Sequence, residues 1–119
     1  MKTITVTSKM IIDTVEKTLM NHCTFCTKSI VNPLDVVFET EHGKYQLIMA
    51  LTKDLKSIVF RSQNTYSCDA DVFIDYGGDD VLIKTRCVDE THEFIKYVMK
   101  DIQKNLEKML LDNQHDADE

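Results

Sequence analysis

Hydrophobic residues in the last quarter of the chain recur every three or four positions, as one face of an α-helix requires. The pattern extends from Asp89 to Leu111, and Asp89 is suited to cap the first turn. This spacing predicts a long amphipathic helix that covers a sheet formed by the preceding residues. The apolar side chains that would face the sheet are Phe94, Ile95, Val98, Met99, Ile102, Leu106, Met109 and Leu110.

The N-terminal segment combines a short alternating stretch with a second helical pattern. Residues 3–7 alternate between threonine and an aliphatic residue, which predicts a short strand. Ser8 is a suitable N-cap for a helix over about residues 9–22, where the apolar positions again repeat at helical spacing. The pattern then lapses from His22 to Pro33, and we expect a loop there that ends in an Asn32-Pro33 turn.

Alternation with a period of two dominates the middle of the chain and predicts antiparallel strands. Gly43 and the pair Gly77-Gly78 supply the backbone freedom that two of the connecting turns need. Along the last two strands, apolar and polar side chains alternate, which predicts one covered face and one solvated face. The five predicted strands are residues 35–41, 44–52, 55–62, 71–76 and 81–88.

Together these patterns predict an α+β fold. Its sheet is an antiparallel β-meander of five or six strands, and the N-terminal helix and the long C-terminal amphipathic helix pack on one face. The polar loop at residues 63–69 leaves the strand order open. In this interpretation, residues 1–111 form a single α+β domain and residues 112–119 form an acidic flexible tail.

Composition and charge narrow the functional classes of this 119-residue chain. The formal net charge of −6 argues against nucleic acid as a partner, because proteins that bind it neutralise phosphates with lysine and arginine. The N-terminus lacks the apolar centre of a secretory signal, and no apolar run reaches the length of a membrane span. We therefore expect a cytoplasmic protein that makes no membrane contact and keeps its four cysteines as thiols.

His22, Cys23 and Cys26 form the one pattern with metal-ligand spacing. Two thiolates and an imidazole are suitable zinc ligands. A structural zinc site normally has a second paired element, however, and the other two cysteines, Cys68 and Cys87, are isolated in sequence. The sequence therefore predicts no cofactor, with zinc bound by His22, Cys23 and Cys26 as the alternative.

Two groups of charged residues are candidates for partner binding. Lysines at intervals of four on the C-terminal helix form either a solvated face or a basic ridge for an acidic partner. Aspartates before and within the Gly77-Gly78 turn form a solvated strand edge, a cation site or a mimic of phosphate charge. The candidate residues are Lys96, Lys100, Lys104 and Lys108, and Asp71, Asp75, Asp79 and Asp80.

No catalytic constellation and no phosphate-binding loop is recognisable, which favours a protein without catalytic activity. We expect a small acidic protein-binding module that is regulatory, inhibitory or chaperone-like. Small secretion chaperones and small regulatory proteins of phages or mobile elements share this outline, as an analogy of architecture. The alternative is a small-ligand-binding domain with an apolar pocket between the C-terminal helix and the sheet. Its lining would be Met49, Phe60, Met99, Ile102 and Leu106.

A homodimer is a further expectation. Tyr97 and Leu111 fall outside the main apolar arc of the C-terminal helix, while Phe25, Ile30 and Val31 lie in the predicted loop. Apolar residues in such places form exposed patches that bind other proteins or a second copy of the chain.

Overall fold

The computed structural model describes residues 2–22, 26–40, 46–61, 70–75, 82–87 and 93–116. Within these ranges the chain forms two α-helices and eight β-strands. In chain order they are β1 (Lys2–Ile4), α1 (Ser8–His22), β2 (Cys26–Asn32), β3 (Asp35–Thr40), β4 (Gln46–Leu51), β5 (Ser57–Arg61), β6 (Ala70–Asp75), β7 (Leu82–Cys87), α2 (Glu93–Asp112) and β8 (Gln114–Asp116).

Strands β2 to β7 form one antiparallel sheet in which each strand pairs with the next along the chain. This settles the strand order that the sequence left open, and it confirms the α+β fold with a six-stranded meander. Helix α2 contacts β6 and β7, helix α1 contacts β2, and the two helices pack against each other. Both helices therefore cover the same face of the sheet.

The core lies between this face and the helices. Cross-strand pairing places Val36 beside Met49 and Met49 beside Phe60, and all three side chains are fully buried. Each such side chain stabilises the fold by about 1.5–3 kcal/mol relative to an exposed one. The helices contribute most of the apolar arcs that the sequence predicted, namely Ile11, Ile12, Val15 and Leu19 from α1 and Val98, Met99, Ile102, Leu106 and Leu110 from α2. Met109 is partly buried against this core, and the side chains of Phe94 and Ile95 lie outside the described set.

The N-terminus of α1 differs in detail from the prediction. The hydroxyl oxygen of Thr7 accepts a hydrogen bond from the backbone N–H of Met10 at 3.3 Å. Thr7 is therefore the N-cap, and Ser8 is the first residue of the helix.

The expectation of a loop between His22 and Pro33 was wrong, because this segment contains strand β2. Lys28 lies opposite Phe38 on the covered face, so a charge interrupts the alternation that would identify the strand. The Lys28 ammonium nitrogen lies 3.2 Å from a Glu16 carboxylate oxygen and 3.8 Å from one of Asp13. These ion pairs attach the edge of the sheet to α1.

Strands β1 and β8 form a separate two-stranded antiparallel sheet. Asn113 ends α2: its side-chain amide donates to the carbonyl oxygen of Met109 at 2.7 Å. The chain then enters β8, which differs from the flexible tail that composition predicted for residues 114–116. The reason is backbone pairing with β1, which composition does not reveal; residues 117–119 lie outside the described ranges.

Polar side chains fix the position of α2 on both of its sides. The Gln103 amide donates to the carbonyl oxygen of Ile83 on β7 at 3.1 Å, and its oxygen accepts from the Thr85 hydroxyl. On the opposite side, the Asn105 amide donates to the hydroxyl oxygen of Thr18 on α1 at 2.8 Å. Thr18 is fully buried, so this bond is shielded from water.

Replacing Thr18 by valine tests the bond between the helices. Thr18→Val retains the shape of the side chain but removes the acceptor of Asn105, so we expect a loss of about 1–2 kcal/mol in the free energy of unfolding. Asn105→Ala removes the same bond from the other side. The double variant should lose less than the sum of the single losses in urea denaturation. Strictly additive losses would show that the two side chains are not coupled.

The pH dependence of stability tests the ion pairs of α1. A hydrogen bond from the Lys9 ammonium, supported by the charge of Lys28, lowers the pKa of Asp13 below its ordinary value of 3.8. The charged carboxylate is therefore favoured by folding, and its contribution is present above pH 3.8 and lost as pH falls through the lower folded value. We expect Asp13→Asn to lower the urea midpoint at pH 7 but not near pH 2. An equal loss at both pH values would contradict this origin.

Candidate protein-binding surfaces

The first candidate surface is the side of α2 that points away from the core, here called the α2 outer face. Tyr97 and Leu111 are 63% and 46% exposed on it. Three of the four predicted lysines are exposed between them, whereas the side chain of Lys96 lies outside the described set. Two exposed acidic residues complete the surface. Its members are Tyr97, Lys100, Asp101, Lys104, Glu107, Lys108 and Leu111.

The four predicted aspartates are not all accessible. Asp71 is only 5% exposed, so a partner does not reach it in this structure. Alternation correctly predicted that Asp71 and Val72 point to opposite faces of the sheet. Asp71 is not on an edge strand, however, because it lies on β6 between Val59 of β5 and Arg86 of β7. Asp75 is exposed and lines an open groove of about 490 Å³ with the lysines Lys56 and Lys84 and with Phe73 and Ile74. Asp79 and Asp80 lie outside the described residues.

The predicted zinc ligands are partly described. His22 ends α1, and its Nε2 atom lies 2.6 Å from a carboxylate oxygen of Asp101 on α2. Cys26 begins β2, but its side chain is not described, and Cys23 lies outside the described ranges. Among the residues whose positions are described, no three histidine, cysteine or acidic side chains are grouped as metal ligands would be. The zinc alternative stays a prediction.

The predicted ligand-binding residues all belong to the continuous core. Each of them is at most 2% exposed and packs within one hydrophobic cluster. Three surface grooves are lined by described residues, and none of these three is lined by any of the five. The five residues are Met49, Phe60, Met99, Ile102 and Leu106.

The second candidate surface is the outer edge of β2. Within the described part of the chain, β2 pairs with β3 on one side and with no strand on the other. Two apolar side chains near its end, Ile30 and Val31, are 59% and 69% exposed. Apolar side chains exposed next to each other on an edge strand make it a candidate contact surface.

A groove of about 250 Å³ separates the N-terminal half of α1 from this strand. Its walls are mainly apolar, with Ile12 on the helix and Ile30 on the strand. A β-bulge between Ile30 and Asn32 bends the strand at one end of the groove. We call the strand and the groove together the edge groove; the groove is lined by Ser8, Lys9, Ile12, Asp13, Lys28, Ile30 and Pro33.

The edge groove was not predicted from the sequence, because the segment that forms β2 was expected to be a loop. A usable signal was the Asn32-Pro33 turn, which forms a tight hairpin. The Asn32 side-chain oxygen accepts from the Leu34 N–H at 2.8 Å, and its amide donates to Asp35. A turn of this kind directly before a predicted strand implies another strand directly before it.

The face of the sheet that points away from the helices is less polar than alternation predicted. Val37 pairs with Ile48, and Ala50 pairs with Val59, so half-buried aliphatic side chains occupy its centre. Charged residues such as Glu39 on β3 and Lys84 on β7 lie towards its sides.

No helix in the described part of the chain is both long enough and apolar enough to cross a membrane. A comparison with known proteins found no matching family model, no similar curated protein and no similar solved structure. Function is therefore inferred from the surfaces of this chain alone.

Proposed function

We propose that this chain is a non-catalytic protein-binding module that takes up an extended segment of another protein at the edge groove. The observation that carries the proposal is the outer edge of β2, with which no other described strand pairs, beside an apolar groove and with Ile30 and Val31 exposed on the same strand. An added strand covers such an edge and such side chains at the same time. Regulatory, inhibitory and chaperone-like proteins act by covering a partner segment in this way.

Backbone hydrogen bonds would supply most of the affinity. Among the described strands, none pairs with the outer side of β2, so a segment that lies alongside Ser29 to Val31 in the extended conformation would form backbone hydrogen bonds there. Every second side chain of that segment would point to the helix side of the sheet, because strand side chains alternate between faces. There it would meet Ile12 and Ile30, so we expect apolar residues at alternate positions of the partner.

The charges around the groove are balanced. Lys9 pairs with Asp13 at 2.9 Å, and Lys28 pairs with Glu16 at 3.2 Å. A partner is therefore selected by backbone pairing and apolar contact rather than by its net charge. Binding that depends little on charge also depends little on salt concentration.

Lys28 also limits unwanted pairing at this edge. A lysine directed inward on an edge strand hinders the stacking of further strands, which is a common protection against aggregation. Here the carboxylates of Asp13 and Glu16 hold its ammonium group against α1. A matching segment can therefore bind, while other chains do not meet a flat, fully apolar edge.

We also propose a cytoplasmic location. Apart from Cys23 and Cys26, the cysteines show no paired spacing, which is expected of free thiols, and free thiols are typical of the reducing cytoplasm.

Selection of peptides from a random library displayed on phage tests this proposal. The enriched peptides should have apolar residues at alternate positions. Their affinity, measured by fluorescence polarisation, should fall at least about tenfold in Ile30→Lys, which corresponds to about 1.4 kcal/mol. Phe73→Lys is the matched control, because Phe73 is also exposed but lies on β6, four strands from β2 in the sheet.

Hydrogen exchange identifies the mode of binding. A bound peptide should slow the exchange of β2 amides, and its affinity should change little when salt is raised. Peptides that bind Ile30→Lys as well as the unmodified protein, and that leave β2 exchange unchanged, would contradict the proposal. Failure to enrich any peptide against the unmodified protein would contradict it as well.

A further inference from the structure

We infer that the α2 outer face is a homodimer interface, in which the α2 helices of two copies pack antiparallel about a two-fold axis at Lys104. This inference is independent of the proposed function, because it uses a different helix face and none of the residues of the edge groove. The occupant is a second copy of this chain. It is identified by the spacing of charged and apolar residues along α2.

The apolar residues match under this symmetry. Tyr97, Lys104 and Leu111 are seven positions apart, so they follow one stripe along the helix, which has about 3.6 residues per turn. With the two-fold axis at Lys104, a residue that precedes Lys104 by a given number of positions faces the residue of the second copy that follows Lys104 by the same number. Tyr97 therefore faces Leu111 of the second copy, and this contact occurs twice.

The charged residues match as well. Lys100 and Glu107 lie on the flank of the stripe towards β7, which the contact of Gln103 with Ile83 identifies. In an antiparallel pair related by a two-fold axis, equivalent flanks face each other. Lys100 therefore meets Glu107 of the second copy. Their positions along the paired helices differ by one residue, because Lys100 precedes Lys104 by four positions and Glu107 follows it by three.

The other flank shows the same complementarity. Asp101 and Lys108 lie towards α1: Asp101 contacts His22, and Lys108 lines a groove between the helices. Asp101 therefore meets Lys108 of the second copy. The symmetric arrangement thus contains four pairs of opposite charge and two apolar contacts, against one pair of like charges between the two Lys104 side chains.

A parallel arrangement lacks these pairs. It would place each lysine beside its own equivalent, and Tyr97 beside Tyr97. In the monomer, Lys100, Lys104 and Lys108 repel at intervals of four, and Tyr97 and Leu111 remain exposed. The antiparallel dimer relieves both unfavourable features.

The interface is small, because it consists of one face of one helix from each copy. Contacts of this size belong to the lower class of protein interfaces, below about 1,200 Å² in total. The overall charge of −6 on each copy also opposes association. We therefore expect a dissociation constant in the micromolar range, which corresponds to about −8 kcal/mol.

Sedimentation equilibrium on the full chain over a range from roughly 1 to 500 μM tests the inference, since this range brackets a micromolar constant. The protein should pass from monomer to dimer. Lys100→Glu and Glu107→Lys should each weaken the dimer at least about fivefold, by about 1 kcal/mol, because each replaces two attractive pairs with repulsive ones. The combined variant regenerates both pairs with reversed polarity and should restore the dimer. Lys53→Glu, on the exposed turn after β4, is the matched control for net charge.

Lys104→Leu should strengthen the dimer, in contrast to the charge reversals at Lys100 and Glu107. It replaces the like charges on the axis with an apolar contact, so the dimer should tighten several-fold. A protein that stays monomeric throughout, also as Lys104→Leu, would overturn the inference. A dimer that is insensitive to Lys100→Glu, Glu107→Lys, their combination and Lys104→Leu would form through another surface.

If Lys100→Glu weakens the dimer and the combined variant does not restore it, Lys100 contacts an acidic group other than Glu107. Either result would overturn the inference.

Discussion

The rotation of α2 about its own axis is the constraint on which the rest of the structure depends. Gln103 holds one side of the helix to β7, and Asn105 holds the other side to Thr18 of α1. With both sides attached, Ile102 and Leu106 must point into the core, and Lys104 must point outward. A helix turned by one residue would lose both amide contacts and would bring a charged side chain towards the apolar face. These two bonds thus agree with the apolar arc of α2 in separating the residues of the core from those of the α2 outer face.

The two helices cover different ends of the sheet. Helix α2 covers β6 and β7 at one end, while α1 lies near β2 at the other end. At that end, ion pairs from Asp13 and Glu16 to Lys28 accompany the apolar contact. Charged contacts near water stabilise less than apolar burial, and the contact of α1 with β2 is less extensive than that of α2 with β7. An edge strand of this kind is suited to exchanging solvent for an added strand, which is why we propose the binding site at this end of the sheet.

The sequence predicted most of the fold because its apolar periods are clear. The helical arc around Ile11, Val15 and Leu19 defined α1 to within one residue, and the alternation of Leu47, Met49 and Leu51 defined the covered face of β4. The failures share a cause. Lys28 on the covered face hid β2, the polar residues Gln114 to Asp116 hid β8, and Asp71 is buried on the face where alternation predicts exposure. In all three cases tertiary pairing, rather than local pattern, decides the structure. The candidate lysines were found from spacing alone. The two-fold symmetry that we infer, which relates them to Glu107 and Asp101, required knowing which flank of α2 lies towards β7 and which towards α1.

The distribution of charge links the two surfaces. The chain is acidic overall, but the edge groove is balanced and the α2 outer face is slightly basic. Two copies of net charge −6 repel each other overall, whereas the antiparallel contact that we infer along α2 brings opposite charges together. Pairing of opposite charges therefore sets the orientation of this contact rather than adding greatly to its strength. Because the edge groove lies at the opposite end of the helical layer from β7, a dimer formed through α2 leaves the grooves of both copies open. Such a dimer would offer two equivalent edges, and a partner with two matching segments would bind more tightly than either segment alone.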